Sequence, residues 1–371
     1  MAGLSVRAKA GVFRRMTESL GAPRGVTVSI IVFLAGAISL AVAFLPLPQL
    51  HALISRYPGF SRLDDQTAYL FDQLEQFDRR GEQADHVDIA WLGGSTAREA
   101  LWSSKSLADQ IEAHTTAKAR VYDLTSSGQL MLTSWALASR TACNGADIVA
   151  VGVNVNRLVK TQIGNPAFLI GAIPEEVSEF LQAARAAGRP FKGDAAAILG
   201  FRAGLVRGAT LDALDGMFRR IMSRGPGRPA PRHWYLGKQE NKAALARSLA
   251  WFESISGNPL VEADTLKGLS QSVTKCGSRL VIFTGTLTPD LLDASRYPGS
   301  AAAIASLPDK LRQIVGPQVP IFEMNVPGMF AASDFYDWGH LADKDAIGRA
   351  TSFSAEKLAL IVAQMSSEPK S

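Results

Sequence analysis

A serine follows two glycines directly after a short apolar run. The run is residues 89–92, and Gly93, Gly94 and Ser95 come next. If the run is a strand, the glycines let backbone N–H groups approach an oxygen that becomes negatively charged, and the Ser95 hydroxyl is available as a nucleophile at the sheet edge where α/β proteins bind ligands. The same tripeptide also forms an ordinary strand-to-helix turn with Ser95 as the N-cap. On this segment alone, the N-cap is the more common explanation.

A carboxylate and an imidazole lie three residues apart near the other end of the chain. They are Asp337 and His340, with Gly339 between them. An Asp at this spacing can accept a hydrogen bond from imidazole Nδ1, fix the tautomer and stabilise the imidazolium that forms when Nε2 takes a proton. Asp334 is a second, less favoured candidate for that partner. The alternative is a surface turn with a hydrated His, but none of the other four histidines has an equivalent setting after a late predicted strand.

Five short apolar runs predict the strands that must position these groups. They mostly alternate with helical segments, which predicts parallel pairing through right-handed crossovers and a three-layer α/β domain. Ser95 then follows the first strand, and Asp337 and His340 follow the last. The predicted strands are residues 87–91, 121–124, 148–153, 280–283 and 319–322, and the helices between them include residues 106–113, 130–140 and 301–314.

The third and fourth predicted strands are separated by a long excursion. Residues 158–275 have too much helical periodicity for a plain loop and predict a helical insertion. Within it, residues 219–234 are rich in Arg, Gly and Pro and indicate an exposed connector. A solvated surface loop is favoured there over a docking site for anionic headgroups or polymer. The predicted α/β domain occupies residues 87–371.

An uncharged apolar segment of twenty residues, 26–45, precedes this domain. It is long enough as a helix to cross a hydrocarbon layer of about 30 Å and predicts a transmembrane anchor. The basic segment 1–25 before it predicts a cytoplasmic N-terminus, and residues 46–86 form a juxtamembrane linker and helix. A cleaved signal peptide is the alternative, because residues 41–43 read Ala-Val-Ala. In both cases the domain is expected outside the cytoplasm.

Net charge and cysteine content narrow the function classes. The formal net charge is +5, but five basic residues and one acidic residue in the first 25 already supply +4, so we expect no nucleic-acid partner. Cys143 and Cys276 precede the third and fourth strands, so they are expected close together as a disulfide or as two free buried thiols. No His-x-x-x-His or Cys-x-x-Cys spacing is present, and we expect no metal or other cofactor.

The order of these motifs resembles the four sequence blocks of the SGNH (GDSL-type) hydrolase superfamily. The resemblance covers about residues 87–363, interrupted by the predicted insertion. The matching blocks are Gly93-Gly94-Ser95, Gly128 after the second strand, Gly152-Val153-Asn154 after the third, and Asp337-x-x-His340 before the last helix.

The resemblance implies a flavodoxin-like five-stranded parallel sheet with strand order 2-1-3-4-5. It implies that Ser95 is the nucleophile, His340 the general base and Asp337 its partner. It also implies an oxyanion hole whose donors are the backbone N–H groups of Ser95 and Gly128 and the Asn154 side chain. From the residues alone, Asn154 or the nearby Asn156 could instead cap the next turn.

The chain departs from the family pattern at two positions. Gly94 and Val155 stand where the family often has Asp. These departures favour the membrane-anchored, divergent branches similar to D-alanyl-transfer and polysaccharide O-acetylation proteins. Neither position belongs to the triad, so the chemistry is expected to survive.

The expected function is that of a single-pass inner-membrane serine esterase or O-acyltransferase with a periplasmic catalytic domain. It would act on acyl esters of surface polysaccharide or another acylated glycan through an acyl-Ser95 intermediate, and a membrane-bound O-acyltransferase is a candidate partner. The alternative is a non-catalytic scaffold or binding module that partners such an acyltransferase.

Overall fold

The computed structural model describes most of the predicted α/β domain. The described residues are 33, 37, 70, 73–74, 76–81, 85–126, 129–159, 233, 235–238 and 242–367, with the side chains at 242 and 244 excepted. The predicted anchor, residues 26–45, therefore lies outside the described residues except for Phe33 and Ala37, both of which are helical. Within the described ranges, no helix has both the length and the apolar character that crossing a membrane requires.

Five strands form one parallel sheet, as predicted. The strand order is β2-β1-β3-β4-β5, which is the order of flavodoxin-like folds. β1 pairs with β2 on one side and with β3 on the other. Ile89 of β1 lies opposite Val121 of β2 and Ile148 of β3. The strands are β1 (His86–Gly93), β2 (Lys118–Thr125), β3 (Ile148–Val153), β4 (Arg279–Thr284) and β5 (Ile321–Phe322).

The fifth strand is shorter than its sequence predicts. We predicted a strand over residues 319–322, but β5 contains only Ile321 and Phe322. Pro320 precedes them and has no N–H to donate to a neighbouring strand, although its carbonyl accepts a bond from Ile282 N at 2.9 Å. The edge strand therefore begins after the proline.

Helices cover both faces of the sheet. α2 and α8 pack on one face, and α3, α5, α6 and α7 pack on the other. Side chains of β1 alternate between the two layers: Ile89 and Trp91 join the core under α2 and α8, while Ala90 and Leu92 join the opposite core. The helices are α1 (Ser95–Glu99), α2 (Ser104–His114), α3 (Met131–Cys143), α4 (Val155–Val159), α5 (Lys242–Ser256), α6 (Ala263–Lys275), α7 (Pro298–Val315) and α8 (Lys344–Ser367), with 3-10 turns at Pro289–Leu292 and Ala332–Asp334.

Local sequence signals explain where two of these helices begin. α2 starts after Ser103, whose hydroxyl oxygen accepts a bond from Ser106 N at 2.9 Å and so caps the helix. α7 starts at Pro298, whose ring fixes φ near the helical value. Proline has no backbone N–H, so no hydrogen-bond acceptor is needed for it in the first turn. Both helices are amphipathic, and their apolar sides face the sheet layers described above.

The last helix of the predicted insertion belongs to the sheet layer. α6 packs against α3 and leads directly into β4, so it completes the crossover between β3 and β4. The Trp135 ring of α3 lies against Gly268 of α6, where any Cβ would come within 2.2 Å of the ring. Trp135 Nε1 also donates to Ser272 Oγ at 2.8 Å. Residues 160–232 of the predicted insertion lie outside the described residues.

Cys143 and Cys276 form a disulfide at the edge of the sheet opposite Ser95. Their Cα atoms are 4.8 Å apart, and the two residues are separated by 133 positions in the sequence. Cys143 ends α3 and Cys276 follows α6, so the bond joins the two helices that precede β3 and β4. Ser278 Oγ reinforces this edge by donating to Ala146 O at 2.6 Å.

We expect the Cys143→Ser substitution to lower the free energy of unfolding by about 3–5 kcal/mol, because the bond closes a long loop and restricts the unfolded chain. Urea unfolding followed by circular dichroism measures the change. The Cys143→Ser/Cys276→Ser double variant should match the single variant, since both lack the same cross-link. An unfolding midpoint of the wild-type chain that does not move on adding reductant would contradict this prediction.

Candidate active site

The end of β1 places Ser95 at the carboxyl edge of the sheet. Gly93 has a φ of 152°, and a Cβ on this residue would lie 2.6 Å from Ala97 Cβ, so the turn requires glycine. Gly94 is the N-cap of α1, and Ser95 is the first helical residue. The N-cap explanation for Ser95 is therefore wrong. Its backbone N–H belongs to the first turn of the helix, where N–H groups have no intrahelical acceptor.

The Asp-x-x-His motif lies in a tight turn closed by an antiparallel bridge between Phe335 and Leu341. The turn packs against the loop that follows β4, where Thr286 Oγ1 donates to Gly339 O at 2.8 Å. A Cβ on Gly339 would lie 3.0 Å from the Thr286 carbonyl oxygen and 3.1 Å from Thr96 Cγ2. Glycine at this position lets the turn approach the helix that carries Ser95.

Ser95, His340 and Asp337 meet in a hydrogen-bonded chain. His340 Nε2 lies 2.7 Å from Ser95 Oγ, although the two residues are 245 positions apart. His340 Nδ1 lies 2.8 Å from both carboxylate oxygens of Asp337. A carboxylate can only accept, so Nδ1 carries the proton and Nε2 is free to accept the serine proton. The arrangement is that of a nucleophile, a general base and an orienting carboxylate.

The surroundings keep Asp337 ionised. Burial opposes ionisation and raises the pKa of this carboxyl, but the bond from His340 and the charge of that residue outweigh it. The backbone N–H groups of Gly339 and His340 each donate to Asp337 Oδ1 at 3.0 Å and lower the pKa further. The net result is a pKa below the usual value for Asp. The carboxylate can therefore stabilise an imidazolium.

Asp334 has a different role from Asp337. Its Oδ2 accepts bonds from Ala331 N at 2.9 Å and from Arg349 Nη2 at 2.7 Å. These contacts tie the 3-10 turn that precedes Asp337 and His340 to α8. Asp334 therefore supports the fold of the loop, and Asp337 is the carboxylate that contacts the imidazole.

One predicted oxyanion donor, Asn154, lies beside Ser95, and another, Gly128, lies outside the described residues. Asn154 is buried, and its Nδ2 lies 3.1 Å from Thr96 Oγ1. The amide nitrogen donates to the Thr96 hydroxyl oxygen, which fixes the orientation of the amide. The NH₂ group has two hydrogens, so the second can bind an anionic oxygen on the substrate. The side chain of Asn154 therefore contacts Thr96 rather than capping α4.

Thr96 is expected to orient the Asn154 amide. We expect Thr96→Val, which keeps the shape but removes the hydroxyl, to lower kcat for an ester about 10- to 100-fold, a part of the loss caused by deleting one oxyanion donor. Thr96→Ser keeps the hydroxyl and should stay close to wild type. Steady-state kinetics with KM and the unfolding midpoint measured in parallel test this. Equal kcat values for the Val and Ser variants would show that Thr96 has no such role.

Gln129 joins the loop after β2 to the end of β1. Its Oε1 accepts bonds from Gly93 N at 3.0 Å and from Ser134 Oγ at 2.7 Å, and its Nε2 donates to Leu124 O at 2.8 Å. All of these groups are buried. Gln129 is thereby tied to the strand that leads to Ser95.

Arg157 lies behind the same loop and is partly buried. Its Nη1 donates to Gly152 O at 2.5 Å, and its Nη2 donates to Gln129 O at 3.1 Å and to Ser134 Oγ at 2.7 Å. Burial lowers the pKa of Arg157 to about 10, and the charge of Glu262 acts in the opposite direction. The guanidinium remains charged at neutral pH. It brings a fixed positive charge close to the site.

A cavity of about 60 Å³ adjoins the nucleophile. Its wall combines glycine and polar groups with three large apolar side chains. The wall includes Gly94, Ser95, Asn154, Asn156, Arg157, Glu262 and Trp338. Because Asn154 is a predicted oxyanion donor, the cavity lies on the side of Ser95 where the oxyanion is expected.

A short segment of the predicted insertion covers the imidazole of His340. The Tyr235 ring stacks on the His340 ring with 4.3 Å between centroids and an interplanar angle of 27°. Gly237 N donates to Ala342 O at 2.9 Å and fixes the segment to the chain beyond His340. Burial, followed by the negative charge of Asp337, raises the pKa of Tyr235 to about 12. The phenol stays neutral and limits the motion of the imidazole.

His233 anchors this segment, whereas the composition of residues 219–234 predicts an exposed connector; the other residues of that stretch lie outside the described residues. It is buried, with Nδ1 at 3.3 Å from Glu99 Oε2 and Nε2 at 3.0 Å from Trp102 O. Burial opposes ionisation of Glu99, but the bonds and charges of His233 and Arg98 hold its pKa below the usual value. The composition of the connector does not reveal this, because the buried partners lie more than 130 residues earlier in the sequence.

Four residues of the site were not predicted from the sequence: Thr96, Gln129, Arg157 and Tyr235. Only Arg157 could have been noticed from the sequence nearby, because a charged residue is unusual so soon after a buried strand, three positions beyond Asn154. In the part of the chain that the structure describes, no group of three His, Cys, Asp or Glu side chains could hold a metal ion. Comparison with models of known protein families gives no match, and no curated protein matches the sequence.

Proposed function

We propose that this chain is a serine esterase or O-acyltransferase of the SGNH type that works through an acyl-Ser95 intermediate. One observation carries the proposal: His340 Nε2 lies 2.7 Å from Ser95 Oγ while Nδ1 lies 2.8 Å from Asp337. The strand order and the position of Ser95 at the carboxyl edge of the sheet also support it.

The first half-reaction forms the acyl-enzyme. Ser95 Oγ attacks the ester carbonyl carbon while His340 Nε2 takes the hydroxyl proton, and the carbonyl oxygen becomes a tetrahedral oxyanion. In the proposed reaction, the Ser95 N–H and the second hydrogen of the Asn154 NH₂ group stabilise that charge. The ester C–O bond then breaks, His340 returns the proton to the departing alcohol oxygen, and the acyl group stays on Ser95.

The second half-reaction decides between the two activities. An acceptor hydroxyl, from water or from a sugar, loses its proton to His340 Nε2 as its oxygen attacks the acyl carbon. The bond between the acyl carbon and Ser95 Oγ breaks, and the proton returns to Ser95. Water as the acceptor gives a carboxylic acid and makes the protein an esterase. A sugar hydroxyl gives a new ester and makes it an acyltransferase.

The proposed setting is the outer face of the inner membrane. The uncharged residues 26–45 and the basic residues before them support a single-pass anchor with the catalytic domain in the periplasm. There the site would lie beside surface polysaccharide and beside membrane-bound O-acyltransferases that could supply acyl groups. The disulfide between Cys143 and Cys276 suits an oxidising compartment. The proposed substrates are therefore acyl esters of surface glycans.

The experiment incubates the purified full-length chain with acetyl and alanyl esters of 4-methylumbelliferone, with and without an oligosaccharide acceptor. Fluorescence gives the rate of alcohol release, and mass spectrometry identifies free acid or acylated sugar. Free acid alone supports the esterase, and an acylated sugar supports the transferase. Alcohol release that persists in the Ser95→Ala variant at the wild-type rate would rule out the proposed function.

A further inference from the structure

The cavity beside Ser95 contains buried polar atoms that the protein leaves unpaired. Arg157 Nε, Asn156 Oδ1 and Asn154 Oδ1 have no hydrogen-bond partner within the described ranges. All three residues line the cavity. Leaving such a group unpaired costs about 1–3 kcal/mol, so a water molecule or a substrate group is expected to bind there.

The chemistry of the proposed mechanism determines which half of an ester enters this cavity. The oxygen of the departing or accepting alcohol must reach His340 Nε2, and His340 is not among the residues of the cavity wall. The Ser95 and Asn154 groups that hold the carbonyl oxygen do belong to the wall. The acyl half therefore points into the cavity. A volume of about 60 Å³ has room for roughly two water-sized groups, which a long alkyl chain exceeds.

Arg157 and Asn156 define what the acyl half can carry. Both terminal nitrogens of Arg157 are used by the protein, since Nη1 binds Gly152 O and Nη2 binds Gln129 O and Ser134 Oγ. Its Nε–H remains as a donor held in one position. Asn156 Oδ1 remains as an acceptor. A hydroxyl group can accept from the first and donate to the second, whereas a methyl group can do neither.

We propose, building on the acyl-enzyme function above, that this cavity is an acyl subsite in which Arg157 and Asn156 select a short acyl group that carries a hydroxyl. The substrate class is an ester of a hydroxy acid with about two to four carbons. A carboxylate on the acyl group would fit less well, because it cannot donate to Asn156 Oδ1. An ammonium would fit this donor and acceptor pair less well, because it cannot accept a hydrogen bond from Arg157 Nε.

The test compares ethyl lactate with ethyl propanoate, which differ by one hydroxyl and share a leaving group. Both lactate enantiomers and ethyl octanoate are included, and each kcat/KM is divided by the rate of hydroxide-catalysed hydrolysis. The full-length chain should prefer one lactate enantiomer over propanoate by about 10- to 100-fold, as expected for a satisfied buried donor and acceptor. Octanoate should be the poorest substrate. Equal values for lactate and propanoate, or a preference for octanoate, would overturn the proposal.

Two variants separate this subsite from the catalytic machinery. Asn156→Ala should reduce the ratio of kcat/KM for lactate to that for propanoate at least about fivefold, because it removes the acceptor that only the lactate hydroxyl uses. Asn258→Ala, on an exposed loop, is the matched control and should keep the full preference. Arg157→Lys retains the positive charge but lacks the Nε–H, so it should also lose the preference. A preference that survives in both subsite variants would overturn the assignment.

Failure of the proposed function has a different signature. If the chain hydrolyses none of these esters and a fluorophosphonate probe does not react with Ser95, the acyl-enzyme function itself is wrong, and the subsite proposal is overturned with it. If the probe reacts with Ser95 and the esters are hydrolysed without a lactate preference, only the subsite proposal is overturned. The ratio of kcat/KM for lactate to that for propanoate, measured on the wild-type chain, distinguishes these outcomes even if the Arg157→Lys variant does not fold.

Discussion

Replacing Ser95 by Ala should lower kcat/KM for an acetyl ester by at least about 10⁴-fold. The substitution removes the oxygen that forms the acyl-enzyme, and single removals of a triad serine cause losses of this size or larger. The loss should appear in kcat, because the cavity and the oxyanion donors remain. Stability should change little, since Ser95 Oγ contacts only His340 among the described residues.

Ser254→Ala is the matched control for this variant. Ser254 is exposed on α5, and its hydroxyl donates only to Trp251 O of its own helix at 2.7 Å. Its substitution should leave kcat/KM within about twofold of wild type, as is usual for surface changes. If Ser95→Ala retains full activity while Ser254→Ala behaves as expected, the chain does not use an acyl-Ser95 intermediate. A non-catalytic scaffold would then be the better explanation.

Replacing Asp337 by Asn should lower kcat by about 10³- to 10⁴-fold. An amide in this position can donate to Nδ1, which favours the imidazole tautomer with its proton on Nε2 and prevents that nitrogen from accepting the Ser95 proton. It also removes the negative charge that stabilises the imidazolium. Steady-state kinetics against the same acetyl ester measure the loss, and KM should change much less than kcat.

The matched variant Asp334→Asn distinguishes the catalytic carboxylate from its neighbour. Asp334 binds Arg349 and the Ala331 N–H, so its substitution should lower the unfolding midpoint but leave kcat of the folded enzyme within about threefold. If Asp334→Asn loses more kcat than Asp337→Asn, the two roles have been exchanged. Comparable losses in both variants would mean that neither carboxylate orients His340 in the way described here.

The sheet could be predicted because its strands are buried on both faces. Residues 148–153 and 280–283 are continuous apolar runs, and they lie in β3 and β4. The predicted start of β5 was two residues too early because the apolar run begins at Val319. Strand pairing depends instead on Pro320 and on the neighbouring strand. Strand order cannot be obtained from periodicity alone. It came from a family resemblance and agrees with the observed topology.

The residues of the triad could be proposed from the sequence because each lies in a local motif whose chemistry is recognisable. Thr96, Gln129 and Arg157 could not, since each acts through a partner that is distant in the sequence or is a backbone carbonyl. Arg157, for example, contacts Gly152 nearby but also Gln129, 28 residues earlier. Contacts of this kind depend on the packing of whole elements and leave no periodic signal.

Tyr235 and His233 show a different reason for a missed prediction. Composition averaged over residues 219–234 is rich in Arg, Gly and Pro, which is typical of a solvated loop. The end of that stretch nevertheless packs on Trp102, with 5.2 Å between the His233 and Trp102 ring centroids. Composition describes a segment as a whole, whereas these contacts depend on single side chains.

Reaction of the full-length chain with a fluorophosphonate probe is the most direct test that His340 activates the Ser95 hydroxyl. The probe reacts with a serine only when a general base takes its proton, so the site of the adduct reports the activated hydroxyl. We expect one adduct, mapped by mass spectrometry to the peptide that contains Ser95, and its loss in the His340→Gln variant. An adduct on a different serine, or no adduct in a folded wild-type chain, would show that His340 does not activate Ser95.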